Sequence, residues 1–204
     1  MTVIPNNCVG SSLYRIYGAK FDHPFAWCGF DLDDFIYLAN NYESIDYSDV
    51  RFELETRLYQ TKKSVVATIG NKFKCHFSHY MQDDSMEKPG KCDTYKYTLL
   101  YRNILHLAEE KYRRRLCRMS GEPTFFYCFN LISRTSKEYL IILDRLLAIK
   151  RKLVIVMHEG IDIGSRTIPE NVTILVLPDE DMVLCANVVA EALRDKKEIR
   201  EIFS

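Results

Sequence analysis

Apolar residues recur at helical spacing almost from the start of the chain. The segment TVIP is typical of a short strand that stops at Pro5, and the two asparagines after it are good helix N-cap residues. Between them and Gly18, a plausible helix stop, the positions at helical spacing are Val9, Leu13, Ile16 and Tyr17. The pattern predicts an opening helix with Cys8 in or beside its first turn. A second helix is predicted after Asp31, with Leu32, Phe35, Ile36 and Ala39 on its buried side.

The middle of the chain carries a period-two pattern instead. Residues 64–80 predict two strands joined by a hairpin turn at Gly70-Asn71. In the second strand, alternation puts Phe73, Cys75, Phe77 and His79 on one face and Lys74, His76, Ser78 and Tyr80 on the other. His79 is therefore expected on the more apolar face and His76 on the wetter one. The residues that follow, up to 93, are predicted to be a loop.

In the second half of the chain, helices alternate with short apolar strands. After a long helix over about 94–118, the pattern predicts strand, helix, strand, strand and helix over 123–130, 136–150, 152–158, 171–177 and 182–203. Strands this apolar are expected to be buried between helices. We therefore predict one α/β (or α+β) domain over residues 1–204, with a single mixed sheet flanked by helices and a C-terminal βαββα portion.

Charge and cysteine usage exclude several classes of function. Lys plus Arg and Asp plus Glu number 28 each, so no global field favours nucleic acid or an anionic membrane. The 7 cysteines form neither a small disulfide framework nor CxxC zinc-ribbon pairs. The N-terminus lacks the form of a secretory signal, and no apolar run is long enough to cross a bilayer. We expect a cytoplasmic protein without a membrane span or a nucleic-acid partner; the sequence leaves its oligomeric state open.

Cys8 is the leading candidate for chemistry because of its predicted place. The partial positive charge of a helix N-terminus stabilises a thiolate. The N–H groups there can also hold the oxyanion that forms when sulfur attacks an acyl carbon. Asn7 is a candidate substrate contact, and the small residues after Cys8 leave room for a substrate. A buried structural cysteine is the alternative interpretation.

A nucleophilic thiol needs a base, and the base needs an orienting group. His79 is the best-placed base because a strand holds its ring with its face inward; His76 is the substitute and His23 a weaker candidate. Asn130, at the end of a predicted strand, is the candidate orienting residue, with Asp83 as a fallback. The structural alternatives are a histidine packed in the core and an asparagine used in a turn.

Two other groups of residues compete with this site. Cys75, His76, His79 and Cys92 could form a zinc site, but adjacent strand residues face opposite ways, so no metal is expected. The basic run that ends the long helix could bind phosphates or carboxylates, or it could be a solvated helix face. Its arginines are Arg113, Arg114, Arg115 and Arg118.

The order of these segments resembles families described as papain-like cysteine peptidases of bacteria and large DNA viruses. The segments that carry the resemblance, within about residues 4–157, are NNCVGSSLYRIYGAKFDHPFAWCGFDLDDFIYLANNY, FKCHFSHY, KYRRRLCRM and PTFFYCFN. By this resemblance Cys8 takes the nucleophile position and His79 the base position. Asn130 matches, more loosely, the position of the residue that orients the base. Ala26 departs from the pattern, because Asp is usual there. The turn around Trp27 is thus a candidate substrate contact or only structural packing.

The resemblance implies a cysteine hydrolase that cleaves an amide or ester of a small molecule, glycan or peptide, without a cofactor. Relatives linked to exopolysaccharide and capsule biosynthesis imply an alternative, an acyltransferase whose arginines bind the phosphates of coenzyme A or a nucleotide sugar. A third hypothesis is a catalytically inactive binding or assembly domain of the same fold, which the alanine at position 26 favours.

Overall fold

The computed structural model describes residues 2–56, 63–82, 94–119, 121–129, 136–178 and 186–203, and at 56, 63, 78–82 and 94–103 the backbone alone. The strands are β1 Val3–Pro5, β2 Cys28–Gly29, β3 Val50–Thr56, β4 Lys63–Ile69, β5 Phe73–Gln82, β6 Thr124–Cys128, β7 Leu153–His158 and β8 Val172–Leu177. The α-helices are α1 Cys8–Ile16, α2 Leu32–Asn41, α3 Thr94–Leu116, α4 Ser136–Leu147, α5 Ala186–Arg194 and α6 Lys197–Phe203. None of these described helices is long and apolar enough to span a membrane.

The strands form two four-stranded sheets. One is parallel, with the order β1-β6-β7-β8, and the other is antiparallel, with the order β2-β5-β4-β3. The α/β class and the C-terminal βαββα portion are confirmed, but the strands divide between two sheets where we expected one. The hairpin between β4 and β5 is confirmed, with φ of 56° at Gly70 and 52° at Asn71. This left-handed turn matches the twist of paired strands.

Aromatic residues attach α2 and α4 to one face of the parallel sheet. Phe125 and Tyr127 of β6 pack edge-on against Phe35 of α2, with ring centres 5.8 and 5.3 Å away. Phe129, the next residue on that face, packs against Tyr139 of α4 at 5.5 Å. Side chains two apart in a strand share a face, so α2 and α4 lie on the same side of the sheet.

Helix α1 and the last two helices cover the opposite face. Every residue of β6 is buried, so a second layer must lie opposite α2 and α4. Ser12 of α1 donates from Oγ to Asn187 Oδ1 of α5 at 2.8 Å, and Tyr17 stacks on Phe203 of α6 at 4.9 Å. The predicted C-terminal helix is thus two helices, because the chain turns at Asp195.

Helix α1 lies very close to the strand that precedes it. A Cβ added at Gly10 would stand 2.4 Å from Cβ and 2.8 Å from Cγ of Pro5. Only glycine lets α1 fold back this tightly on β1, and this approach fixes the position of Cys8 at the start of the helix.

Replacing Gly10 by alanine is expected to lower the free energy of unfolding by about 1–3 kcal/mol, because the added methyl group overlaps Pro5. Urea unfolding followed by circular dichroism measures this loss. Arg15→Ala, at an exposed position of the same helix, is the control and should change stability by less than about 0.5 kcal/mol. Equal stabilities for the Gly10→Ala variant and the original protein would contradict the close approach of α1 and β1.

Candidate functional site

Cys8 is the first residue of α1, as the sequence predicts. The preceding Asn7 is extended (φ −153°, ψ −173°), and its Oδ1 accepts a hydrogen bond from the Val9 N–H at 3.0 Å, so it is the N-cap. The Cys8 side chain is half-buried, and no disulfide joins the described cysteines. The thiol therefore stands at the positive end of the helix dipole, on a residue that is partly exposed.

The side chains of Asn6 and Asn7 tie this turn to the end of β6. Asn6 Nδ2 donates to the Cys128 carbonyl at 3.2 Å, and the Cys128 N–H donates to Asn6 Oδ1 at 2.8 Å. Asn7 Nδ2 donates to the same carbonyl at 3.1 Å. The Asn6 amide thus replaces a peptide group and extends the pairing of β1 with β6 by one step. Both ends of the Asn7 amide, which we expected to contact substrate, are engaged in structural hydrogen bonds.

Cys8 lies where the helical connections change sides. The chain leaves β1 for α1 on one face of the parallel sheet, and it leaves β6 for α4 on the other face. At such a switch point the two connections diverge and open a crevice outside the carboxyl ends of the strands. Open α/β sheets usually bind their ligands in this crevice. The placement of Cys8 is therefore that of a residue able to meet a ligand.

A tight turn around Trp27 forms a wall beside α1. The Trp27 N–H donates to Ser11 Oγ at 2.7 Å, and Arg115 Nη1 donates to the Ala26 carbonyl at 3.2 Å. Trp27 has φ of 63°, which is rare for a bulky residue. Ser11 follows Cys8 by three residues and so shares its side of the helix. The turn consequently rests on the side of α1 that carries the thiol.

Two backbone contacts connect the Cys8 turn to β5. The Phe30 N–H donates to the Asn6 carbonyl at 2.9 Å, and the neighbouring Gly29 is the ladder partner of His76. Neighbouring paired segments lie about 4.8 Å apart, so the backbones of Asn6 and His76 are roughly 10 Å apart. His76 is 9% exposed, and its Nε2 stands 3.9 Å from Asp31 Oδ2. The substitute base thus belongs to the strand beside the Cys8 turn and lies next to a carboxylate.

His79 belongs to β5, but its side chain lies outside the described residues. Phe77 and Met81 pair with consecutive residues of β4, so the three residues between them form an irregularity in β5. The strict alternation that we expected to bring His79 to the apolar face is therefore described only as far as Phe77. Asn130 and Asp83 lie outside the described residues.

The basic run at the end of α3 does not form one surface. Arg113 pairs with Glu109 at 2.8 Å, whereas Arg114 and Arg118 are exposed. Arg115 turns inward and is only 9% exposed. The four arginines that we predicted as one anion site thus divide between solvent and the protein interior.

Burial distinguishes Cys8 from most of the other described cysteines. Burial raises the pKa of Cys128 to about 12. Burial, followed by a hydrogen bond with the Cys75 thiol, raises the pKa of Cys28 well above its usual value. Cys117 is exposed, but it follows the C-terminus of α3. Among the described cysteines, only Cys8 combines solvent access with a helix N-terminus.

The described residues contain no group of three or more His, Cys, Asp or Glu side chains that could hold a metal ion. Of the hypothetical zinc ligands, Cys75 is buried against Cys28, and His76 follows it on the opposite face of β5. Cys92 and the His79 side chain lie outside the described residues.

Two polar residues near this edge were missed from the sequence. His158 is the last residue of β7, and its ring packs edge-on against Tyr139 at 5.2 Å. A histidine that closes an apolar parallel strand is the signal that could have indicated it. Ser11 was noted only for its small size, because its hydrogen bond depends on a distant turn that no local pattern predicts.

Most of the chain matches one protein family. The sequence profile of a domain of unknown function, DUF1919, matches residues 1–168. The chain belongs to the DUF1919 family. The part that matches DUF1919 contains Cys8, the turn at Trp27 and all of β5. A search among curated proteins finds no match.

His23, the weaker candidate base, is fully buried in this DUF1919 chain. Its Nδ1 accepts a hydrogen bond from the Phe25 N–H at 3.2 Å. Burial, and after it the charge of Arg115, lowers the pKa of His23 from 6.5 to about 3. The imidazole therefore stays neutral in the folded protein at neutral pH and supports the turn that it begins.

His23 should make folding stability fall as the pH drops below about 6.5, because only the unfolded chain then binds the proton. The free energy of unfolding is expected to fall by up to about 1.4 kcal/mol per pH unit, until the folded-state pKa is reached. Urea unfolding from about pH 6.5 to about pH 5, above the usual carboxylate range, measures the slope. His23→Gln should flatten it, whereas His106→Gln, at an exposed position of α3, should not. An unchanged slope in His23→Gln would contradict this assignment.

Proposed function

We propose that this DUF1919 chain is a cysteine-dependent hydrolase that cleaves an amide or ester through Cys8. The observation that carries the proposal is the position of the thiol, half-buried at the capped N-terminus of α1 and at the carboxyl edge of a parallel sheet. A purely structural cysteine is expected to resemble Cys128, which is fully buried. The resemblance to papain-like cysteine peptidases supports the same assignment.

In the first proposed step, a histidine takes the proton of the Cys8 thiol, and the thiolate attacks the acyl carbon to form a carbon–sulfur bond. N–H groups in the first turn of α1 stabilise the oxyanion; because Asn7 engages the Val9 amide, we assign this role to the Gly10 amide. Collapse breaks the bond to the leaving amine or alcohol, which takes a proton from a histidine. The same histidine then deprotonates a water molecule, whose attack on the thioester releases the carboxylic acid and the thiol.

The histidine comes from β5 in this proposal. His79 matches the base position of the resembling families, with Asn130 or Asp83 as the orienting residue. His76 is the alternative base, and Asp31 at 3.9 Å would stabilise its protonated form. Both histidines belong to the strand that pairs with the segment after Trp27, so either assignment keeps the base on one element.

We propose a small-molecule, glycan or peptide substrate and a cytoplasmic location. The absence of disulfides among the described cysteines is consistent with a reducing compartment. Hydrolysis is favoured over transfer from coenzyme A or a nucleotide sugar, since Arg115, one of the four arginines expected to bind phosphates, is buried and Arg113 is paired with Glu109. Ala26 is buried, and its backbone carbonyl accepts the hydrogen bond from Arg115, a contact that does not need an Asp side chain. This favours a working site over an inactive domain.

Cys8 should react with iodoacetamide about tenfold faster than Cys117, although Cys117 is more exposed, because Cys8, unlike Cys117, lies at a helix N-terminus. Mass spectrometry of tryptic peptides from a time course at neutral pH measures both rates in one sample. Cys8→Ser should also abolish hydrolysis of p-nitrophenyl acetate, whereas Cys117→Ser should retain it. A rate at Cys8 no higher than that of an unstructured peptide thiol would refute the proposed function.

The pH dependence of alkylation should identify the histidine. Removing the imidazole that pairs with the thiol is expected to raise the pH midpoint of Cys8 alkylation by about one unit, because the thiolate loses a cationic partner. His79→Ala should show this shift and His76→Ala should not; the reverse result assigns the role to His76. His106→Gln is the exposed control, and urea unfolding checks that each variant is folded. Unchanged midpoints in both alanine variants would eliminate a base on β5.

A further inference from the structure

Arg115 is the member of the α3 basic run that is buried in the protein. Its guanidinium carbon stands 5.2 Å from the centre of the Phe21 ring, a distance that allows a cation–π contact. Its Nη1 donates to the Ala26 carbonyl at 3.2 Å. A long arginine side chain is rarely buried unless specific contacts hold its charge, so this arrangement indicates a defined role inside the molecule.

The same peptide group is held at its other end by Ser11. The Ala26 carbonyl and the Trp27 N–H belong to one planar unit, and Arg115 and Ser11 bind its two ends at 3.2 and 2.7 Å. Fixing that plane maintains φ of 63° at Trp27, a conformation that a bulky residue adopts only when its surroundings impose it. The direction of the indole therefore depends on both side chains.

We propose that Arg115 is a positioning residue for the Cys8 site. Through the Ala26–Trp27 peptide it holds the turn that Ser11 binds and sets the direction of the Trp27 indole, whose ring centre stands 6.2 Å from that of Phe21. Ser11 transmits the position of that turn to the helix that carries the thiol. The effect on catalysis rests on the proposed function, whereas the effect on Trp27 does not.

Trp27 is the only tryptophan of the chain, so its fluorescence reports on this turn alone. Arg115→Ala is expected to shift its emission to longer wavelength and to slow Cys8 alkylation about threefold or more. Arg115→Lys, which keeps one donor for the Ala26 carbonyl, should restore part of both signals. Arg114→Ala, at the exposed neighbouring position, is the matched control and should change neither.

A double-mutant cycle tests whether Arg115 and Ser11 act on the same peptide group. If they do, Ser11→Ala should shift the emission in the same direction, and the double variant should change less than the two single changes combined. The cycle is run with Arg115→Lys if the alanine variant fails to fold, and urea unfolding decides this. Strict additivity, or unchanged Trp27 emission in the Arg115 variants, would overturn the proposal.

The two proposals fail in distinguishable ways. An ordinary Cys8 alkylation rate in the original protein, with the expected emission shifts, would end the hydrolase proposal and leave the role of Arg115 at Trp27 intact. Fast Cys8 alkylation in the original protein, with Trp27 emission unchanged in the Arg115 variants, would end the proposal for Arg115 and leave the hydrolase proposal intact.

Discussion

The hydrogen bonds from Asn6 and Asn7 to Cys128 are the interaction on which the candidate site depends. They join the segment that follows the first strand to the end of β6; Cys128 lies 122 positions after Asn6 in the chain. These hydrogen bonds therefore fix the turn between β1 and α1, with the N-cap of α1, relative to the end of β6. These groups are buried or partly buried. Removing the Asn6 side chain would leave the Cys128 N–H without its acceptor, and removing the Asn7 side chain would do the same to the Val9 N–H, at a cost of about 1–3 kcal/mol each.

Local signals predicted the elements that surround Cys8. The asparagines before it, the apolar spacing after it and Gly18 define α1, and the left-handed pair at Gly70 and Asn71 defines the hairpin. These features could be predicted because each depends on residues within one helical turn or one hairpin. The alternation of helices with apolar strands likewise predicted the α/β class.

Features that depend on distant partners could not be predicted. Helical spacing puts Arg115 on the face of α3 that carries the buried Ala108 and Tyr112, but it does not indicate the partner of the guanidinium, which is a carbonyl on a turn 89 residues away. The strands divide into two sheets because β2 pairs with β5 and not with β1, which is a choice among tertiary partners. The irregularity after Phe77 likewise arises in pairing with β4, and it interrupts the alternation used to orient His79.

The pairing of β1 with β6 also determines when this part of the protein can fold during synthesis. The first strand leaves the ribosome long before its neighbour in the sheet has been translated, and parallel pairing over such a separation is slow to form. Until then Cys8 belongs to a nascent segment that lacks its contacts with β6, and its sulfur is expected to behave as an ordinary peptide thiol. Any effect of the α1 N-terminus on the thiol would thus arise late in biosynthesis, as a consequence of chain order alone.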